Sequence, residues 1–343
     1  MKKAFLIFLT SVISFFPARI TSAPQHTPMS EIFEGDGDDQ IVCYKQKHRN
    51  FFFVTFGLSV ALGLLALNQY RIKKKSAKVL QDKNKIIEEK NKDIVDSINY
   101  AKRIQGAILP EEALLSRLLP EHFLYFQPKD IVSGDFYWVA EKKDTVLLAA
   151  ADCTGHGVPG AFMSMIGNAF LNEIVIEKGI VAPAEVLNKL REMIIGALKQ
   201  GEGSDSKDGM DITLVSLSKN GDETLVKFAG ANNPIWIIQS GKLREIKGDK
   251  QPVGVSSGLA KAFTEHSFSL VKGDLLYLFS DGFADQFGGK DGKKFRSKNM
   301  QDLVMSVHDQ SMRVQKKILT EKMDQWKSEL EQVDDMLVIG LRI

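Results

Sequence analysis

Four stretches of this 343-residue chain place a carboxylate where an apolar, strand-like run meets glycine or a second acid. They are Asp135 in SGDFYW, Asp152 in LLAAADCTGHG, Asp281 in LLYLFSDGFAD, and the pair Asp334 and Asp335 before MLVIGL. Singly, each reads as a turn, because Asp and Gly are turn residues. Together they imply something else. Acids delivered by separate strand ends to one edge of a fold repel one another unless a cation lies between them. Hard cations such as Mg²⁺ and Mn²⁺ take oxygen ligands and keep several waters. Two of them about 3.5–4 Å apart would neutralise such acids, polarise a phosphoryl group and make water a nucleophile at neutral pH. The two cysteines, Cys43 and Cys153, lie far apart, and the six histidines are scattered, so neither a Cys–His zinc site nor a disulfide framework competes.

The loop AAADCTGHGVPG (149–160) is the densest of these stretches, with three glycines, His156 and Pro159. Alone it fits a phosphate cradle, a metal site or a turn. Gly155 and Gly157 would let backbone approach a ligand closely. His156 is an auxiliary candidate, as a partner of phosphate or metal-bound water or as a loop brace. Asp208 and Asp211 border a Gly/Ser-rich loop and are candidates for a further, weaker metal. Lys129 reads as a surface lysine that could attract phosphate, Asn232 and Asn233 as turn residues, and Met163 and Met165 as core.

These residues need a scaffold. From residue 111 onward, apolar runs alternate with turn signals: FLYFQPKDIVSGDFYWVAEKKDTVLLAAADC reads as strands with a turn at EKKD, and further strands lie around MDITLVSLS, ETLVKFAG, PIWIIQSGKLREIKG, HSFSLV, DLLYLFSDG and DMLVIGLRI. Helical spacing appears at Phe162, Met165, Ile166, Ala169 and Phe170, again over APAEVLNKLREMIIGALKQ, and near 296–308 and 312–331. Most strands are consecutive, which favours antiparallel pairing. Strands with two clusters of helices predict a layered α+β sandwich.

Upstream the chain changes character. Residues 1–23 carry a basic start, an apolar run and small residues around Ala23, the pattern of a signal peptide or of a short first membrane segment. Residues 24–50 would then be a short extracytoplasmic segment. Residues 51–70 contain no charge, and about 20 apolar residues suffice to span a bilayer. RIKKK follows, which marks the cytoplasmic side. The expectation is an inner-membrane protein, single or double pass, with its C-terminal bulk in the cytoplasm. Over 71–110, Leu80, Ile87, Ile94, Ala101 and Ile108 recur every seven residues, with Asn84, Asn91, Ile98 and Gln105 between them. This predicts a modest coiled coil, and hence a homodimer through the 76–109 helix, ended by Pro110. A net charge of +2 gives no reason to invoke nucleic acid.

SGDFYW, ADCTGHGVPGAFMSMIG, FAGANNPIW, LYLFSDGFADQ and the terminal DDMLVIGL, in that order, resemble the SpoIIE-type branch of the metal-dependent (PPM, type 2C) serine/threonine phosphatases. The resemblance covers roughly 100–343, including the approach helix SINYAKRIQGAILP. It implies an αββα sandwich over 111–343 with two Mn²⁺ or Mg²⁺ ions. By that resemblance Asp152 bridges both ions, the Cys153 carbonyl adds a ligand, and Asp281 and one of the terminal pair, Asp334 in preference to Asp335, complete the set. Asp135 matches a further acid, a ligand directly or through water. It further implies hydrolysis of phosphoserine or phosphothreonine by a metal-activated water, without a phosphoenzyme. The substrate would be a phosphorylated regulatory protein, a STAS-domain anti-sigma antagonist. The phosphate-gripping arginine of many eukaryotic relatives has no evident counterpart here.

Two other readings stand beside it. DCTGHGVPG resembles a histidine-kinase nucleotide loop, although the 76–109 helix lacks a histidine to phosphorylate. A catalytically inactive binding module is the third reading, and the full set of repelling acids argues against it.

Overall fold

The computed structural model describes residues 37–201, 207–256 and 260–343. The expected signal segment 1–23 and residues 24–36 of the expected 24–50 segment lie outside the described residues.

Helix α1 (Gly37–Ile108) is a single 72-residue helix. The expected span and the expected coiled coil are therefore parts of one element, which begins before residue 51. Residues 51–70 are exposed throughout, so they are no core helix of the chain. Among the described residues this is the one helix long and apolar enough to cross a membrane. Twenty helical residues rise about 30 Å, the thickness of a bilayer core. Leu80, Ile87 and Ile94 are exposed. Further along, Ile98 and Ala101 are half-buried and Gln105 is buried. That last part of the heptad seam faces the chain's own folded domain. The helix stops just short of Pro110, as expected.

The remainder is a two-sheet sandwich. A short helix α2 (Glu112–Leu118) leads into β1 (His122–Gln127), β2 (Phe136–Lys142) and β3 (Thr145–Cys153). Then come α3 (Gly157–Asn172), continued by a π-helical turn over Glu173–Glu177, and α4 (Pro183–Ala197). Strands β4 (Met210–Asn220), β5 (Glu223–Ala231), β6 (Ile235–Gln239), β7 (Lys242–Ile246), β8 (His266–Leu270) and β9 (Leu275–Phe279) follow. The chain ends with α5 (Gly282–Asp285), a two-residue ribbon β10 (Phe287–Gly288) and β11 (Lys293–Lys294), helices α6 (Ser297–Val307) and α7 (Met312–Lys327), and β12 (Met336–Arg342). One sheet has the order β1-β12-β9-β6-β7 and the other β2-β3-β4-β5-β8, all pairs antiparallel. The β2–β3 turn places Lys143 and Asp144 at φ 51° and 57°. Positive φ at both central residues gives the turn a twist that matches paired strands.

Because side chains alternate along a strand, each central strand feeds two cores. In β3, Leu148 and Ala150 meet Leu276, Leu278, Leu337 and Ile339 between the sheets. Leu147, Ala149 and Ala151 face the opposite way, into a layer with Leu187, Leu190 and Ile194 of α4. On the far side Tyr277, Trp236 and Val338 pack against Val304 and Leu319 of α6 and α7. Both faces of the central strands are buried, which explains their unbroken apolar runs. The expected αββα layering is present.

Helix α3 corrects one detail. Phe162, Met165, Ile166, Ala169 and Phe170 have helical spacing, yet the buried face is Ala161, Met163, Ser164, Gly167, Asn168 and Leu171. Phe162 is 59% exposed, and Met165, expected in the core, is only half-buried. Close approach selects the small side chains. A Cβ at Gly167 would lie 2.7 Å from Met210 Cε and 3.0 Å from Phe136 Cζ, so this face admits no bulk.

Candidate active site

The antiparallel register brings the acids together. Asp152 is the penultimate residue of β3 and pairs with Asp211 at the start of β4. Asp281 follows β9 and opens α5. Asp334 lies just before β12, whose partners are β9 and β1. Asp152, Asp211, Asp281 and Asp334 line one open cavity of about 270 Å³, with Cys153, Thr154, Gly155, His156, Met210 and Pro252. At about 30 Å³ per water, that holds a phosphoryl group and several waters. Among the described residues no lysine or arginine lines it.

Asp135 sits beneath, immediately before β2, and is almost fully buried. Its Oδ2 accepts a hydrogen bond from Ser280 Oγ at 2.5 Å. That hydroxyl also accepts from Leu337 N–H at 3.1 Å, so Ser280 ties the ends of β9 and β12 to the acid.

The electrostatics follow from crowding in a poorly solvated place. Burial pushes the Asp152 carboxyl up to about 10, and the charges of Asp135, Asp281, Asp334 and Asp211 add to it. Asp135 is held well above the carboxylate range by burial, partly offset by the Ser280 bond, with Asp335, Asp334 and Asp281 raising it further. Asp281 is raised by burial, then by Asp285 and Asp334, and is eased by a hydrogen bond shared with Asp152. Asp211 is raised by burial and eased by Asn232, whose Nδ2 donates to Asp211 Oδ1 at 2.7 Å. With only protons to relieve it, Asp152 holds its proton near neutral pH. A divalent cation would relieve the same repulsion, and a set of carboxylate and carbonyl oxygens is the donor set hard cations take.

The donor set therefore fits Mg²⁺ or Mn²⁺. Among the described residues, no three acidic, His or Cys side chains are drawn in tightly enough to cage an ion by themselves. The acids ring the cavity instead, which suits a cation that keeps much of its water.

The terminal pair divides cleanly. Asp335 is buried, and its two oxygens accept from Lys129 N–H and Gly134 N–H, both at 2.7 Å. Asp334 faces the cavity, and its Oδ1 accepts from Asp335 N–H at 2.9 Å. Cys153 buries its thiol, which leaves its main chain as the part able to serve the site. Asp208 does not line the cavity; its carbonyl accepts from Gln200 Nε2 at 2.6 Å.

The loop after β3 is built on glycine. Gly155 and Gly157 have φ of +81° and +65°, which L side chains rarely adopt. Gly134 is also required, because a Cβ there would collide with the Gly155 carbonyl. His156 leaves that loop to meet the β1–β2 segment, with Nδ1 2.7 Å from Asp130 Oδ2 and Nε2 3.1 Å from Lys129 Nζ. Asn232 shapes a turn at φ +57° as expected and supports Asp211 besides.

Three supporting residues escaped the sequence reading: Ser280, Asp130 and Gln105. Gln105 was assigned to the heptad seam. Instead its Nε2 donates to Ser133 O at 2.6 Å and to Ser164 Oγ at 2.9 Å, and its Oε1 accepts from Ser133 N–H at 3.1 Å. Ser133 is two residues from Asp135. The one available signal was a polar residue at a seam position beside a helix-ending proline.

The chain matches known proteins over this domain. A family model described as stage II sporulation protein E (SpoIIE) matches residues 142–343. The phosphoserine phosphatase RsbU of Bacillus subtilis (strain 168) is 28% identical over 203 residues, 58% of this chain and 56% of RsbU. The chain thus spans about half the length of that curated relative. The SiaA-PP2C domain of Pseudomonas aeruginosa is 32% identical, with a TM-score of 0.67 over 74% of this chain and 98% of that domain. The PP2C phosphatase domain of SpoIIE from Bacillus subtilis, solved with a fragment of its regulatory domain, is 21% identical. It has a TM-score of 0.52 over 65% of this chain and 62% of that one, and shares the fold.

Proposed function

The chain belongs to the SpoIIE family, and from that premise we propose that it is a membrane-anchored, metal-dependent serine/threonine protein phosphatase facing the cytoplasm. The observation that carries this reading is the convergence of Asp152, Asp281 and Asp334, from three separate strand ends, on one cavity above the buried Asp135. Asp152, Asp281, Asp334, the Cys153 carbonyl and Asp135, directly or through water, would hold two Mn²⁺ or Mg²⁺ ions. Bound there, the ions supply a Lewis acid for the phosphoryl group and a water nucleophile at neutral pH. Asp211, the cross-strand partner of Asp152, would assist, and Asp208 belongs to the adjoining loop. Gly155 lines the cavity without a side chain, and Gly157 leaves room for the Asp130 carboxylate. Ser280 and Asp335 fix Asp135 and the 129–134 segment, so that the acids stay apart and oriented.

The substrate class is phosphoserine or phosphothreonine on a regulatory protein, and the family resemblance makes a phosphorylated STAS-domain antagonist the candidate. Residues 51–70 would anchor the chain in the inner membrane. Residues 71–110 would act as a regulatory linker, pairing with a second copy through Leu80, Ile87 and Ile94. The Gln105 clasp on Ser133 is a physical route from that linker to Asp135: a two-state helix position would bias the acid between competent and incompetent arrangements.

The nucleotide-loop reading fails on architecture. Asp152 ends a central strand of an antiparallel sandwich, and its cavity partners are acids. The test is hydrolysis of a phosphoserine peptide by the full-length protein in detergent, with and without Mn²⁺ or Mg²⁺. Metal-dependent release of phosphate is expected, together with no incorporation of label from ATP. Turnover that survives complete chelation, or autophosphorylation, would overturn the reading.

A further inference from the structure

We propose that Lys129, held in place by His156 and Asp130, is the cation that orients the substrate's phosphoryl group over the acid cavity. This deepens the phosphatase reading and rests on it.

Lys129 is fixed at both ends. Its backbone N–H donates to Asp335 Oδ1 at 2.7 Å, which pins the residue to the acid next in sequence to Asp334. Its ammonium lies 3.1 Å from His156 Nε2, and His156 Nδ1 lies 2.7 Å from Asp130 Oδ2. The partners set the proton positions. A carboxylate takes the Nδ1 proton, which leaves Nε2 as the acceptor for the lysine. The chain of donors therefore runs from Lys129 to His156 to Asp130. His156 itself lines the cavity, so the ammonium stands one hydrogen bond from the cavity wall. An ammonium has three donors; the histidine takes one, and two remain for anionic oxygens.

Charge balance gives this placement a purpose. Two divalent cations would formally cancel the charges of Asp135, Asp152, Asp281 and Asp334. A phosphomonoester then brings roughly −1.5 to −2 at neutral pH. Among the described residues no lysine or arginine lines the cavity to meet that excess. Lys129 is the cation held one hydrogen bond behind the cavity-lining His156. The neighbouring Asp130 would quench it by direct pairing. The imidazole stands between the two instead, holding the lysine while leaving its charge available. Lys129 is thus the group that touches substrate, and His156 and Asp130 are positioning residues acting through it.

The experiment titrates inorganic phosphate into the full-length protein in detergent with Mn²⁺ present, alongside steady-state hydrolysis of a phosphoserine peptide. For Lys129→Met, phosphate should bind about tenfold more weakly and KM should rise similarly. The half-saturating Mn²⁺ concentration and the Tm should stay unchanged. Lys129→Arg should recover most of the loss. His156→Gln should lose part of it, and the double variant should be no worse than Lys129→Met alone. Unchanged phosphate affinity in Lys129→Met overturns the proposal. So does a loss that Lys129→Arg fails to recover and that comes with a lowered Tm, since the trio would then be a loop clasp only. Lys129-dependent phosphate binding in a protein that hydrolyses no phosphopeptide would leave the anion site standing and remove the phosphatase reading.

Discussion

Two neighbouring acids at the start of β12 have the same chemistry and opposite fates. Asp335 turns under the site, where two backbone N–H groups satisfy both of its oxygens. Asp334 turns into the cavity, where it joins Asp152 and Asp281. The first binds the β1–β2 segment to β12. The second adds to a concentration of negative charge that only protons or metal ions can relieve. A buried carboxylate with two N–H partners is structural, and one whose neighbours are other carboxylates is poised for a cation.

The comparison breaks most visibly at Asp152, at the centre of the cavity set. Asp152→Asn should reduce phosphopeptide turnover by about a thousandfold or more while circular dichroism stays native. Its metal-free stability should equal or exceed that of the parent. The raised Asp152 carboxyl implies a definite pH dependence for the parent. The folded state binds that proton more tightly than the unfolded chain, so metal-free stability is greatest below about pH 4 as far as this group is concerned. It falls as pH rises toward about 10. The Asn variant should lose that slope, and Mn²⁺ should flatten it in the parent. Chemical denaturation across pH measures both.

The terminal pair itself comes next. Asp335→Ala leaves one buried and one half-buried N–H group unpaired and should cost about 2–4 kcal/mol in stability. Asp334→Ala should leave stability almost unchanged and remove activity. Equal destabilisation by the two variants would erase the distinction. Gln105→Ala tests the same contrast at the end of the linker helix. It should cost about 1–3 kcal/mol and raise the Mn²⁺ concentration needed for activity; an unaltered metal response would count against linker control of Asp135. The smallest effect belongs to Asn232→Ala, which removes the donor to Asp211 and should cost about 1 kcal/mol with a modest change in kcat.

Much of this was legible in the chain. The apolar runs of β3, β9 and β12 announced strands buried on both faces, and the acids at their ends were visible by position alone. Helix α3 shows where legibility stops. Its period was readable, but Phe162 and Ala169 drew attention away from Ser164, Gly167 and Asn168, because packing against Phe136 and Met210 rewards small size over hydrophobicity. Gln105 was misplaced for a related reason. A heptad position says that a residue faces something, without saying whether that is a second helix or the chain's own domain.

Residue order alone determined the carboxylate inventory, the glycine-rich loop, the uncharged run at 51–70 and the family resemblance, since each depends on local identity and spacing. The tertiary structure alone decided which acid of the terminal pair faces the cavity. It also decided that Asp211 lies opposite Asp152, and that Lys129, His156 and Asp130 meet. Those facts depend on strand register and on segments 26 residues or more apart in sequence, and no local pattern encodes the distance between two strands that fold side by side.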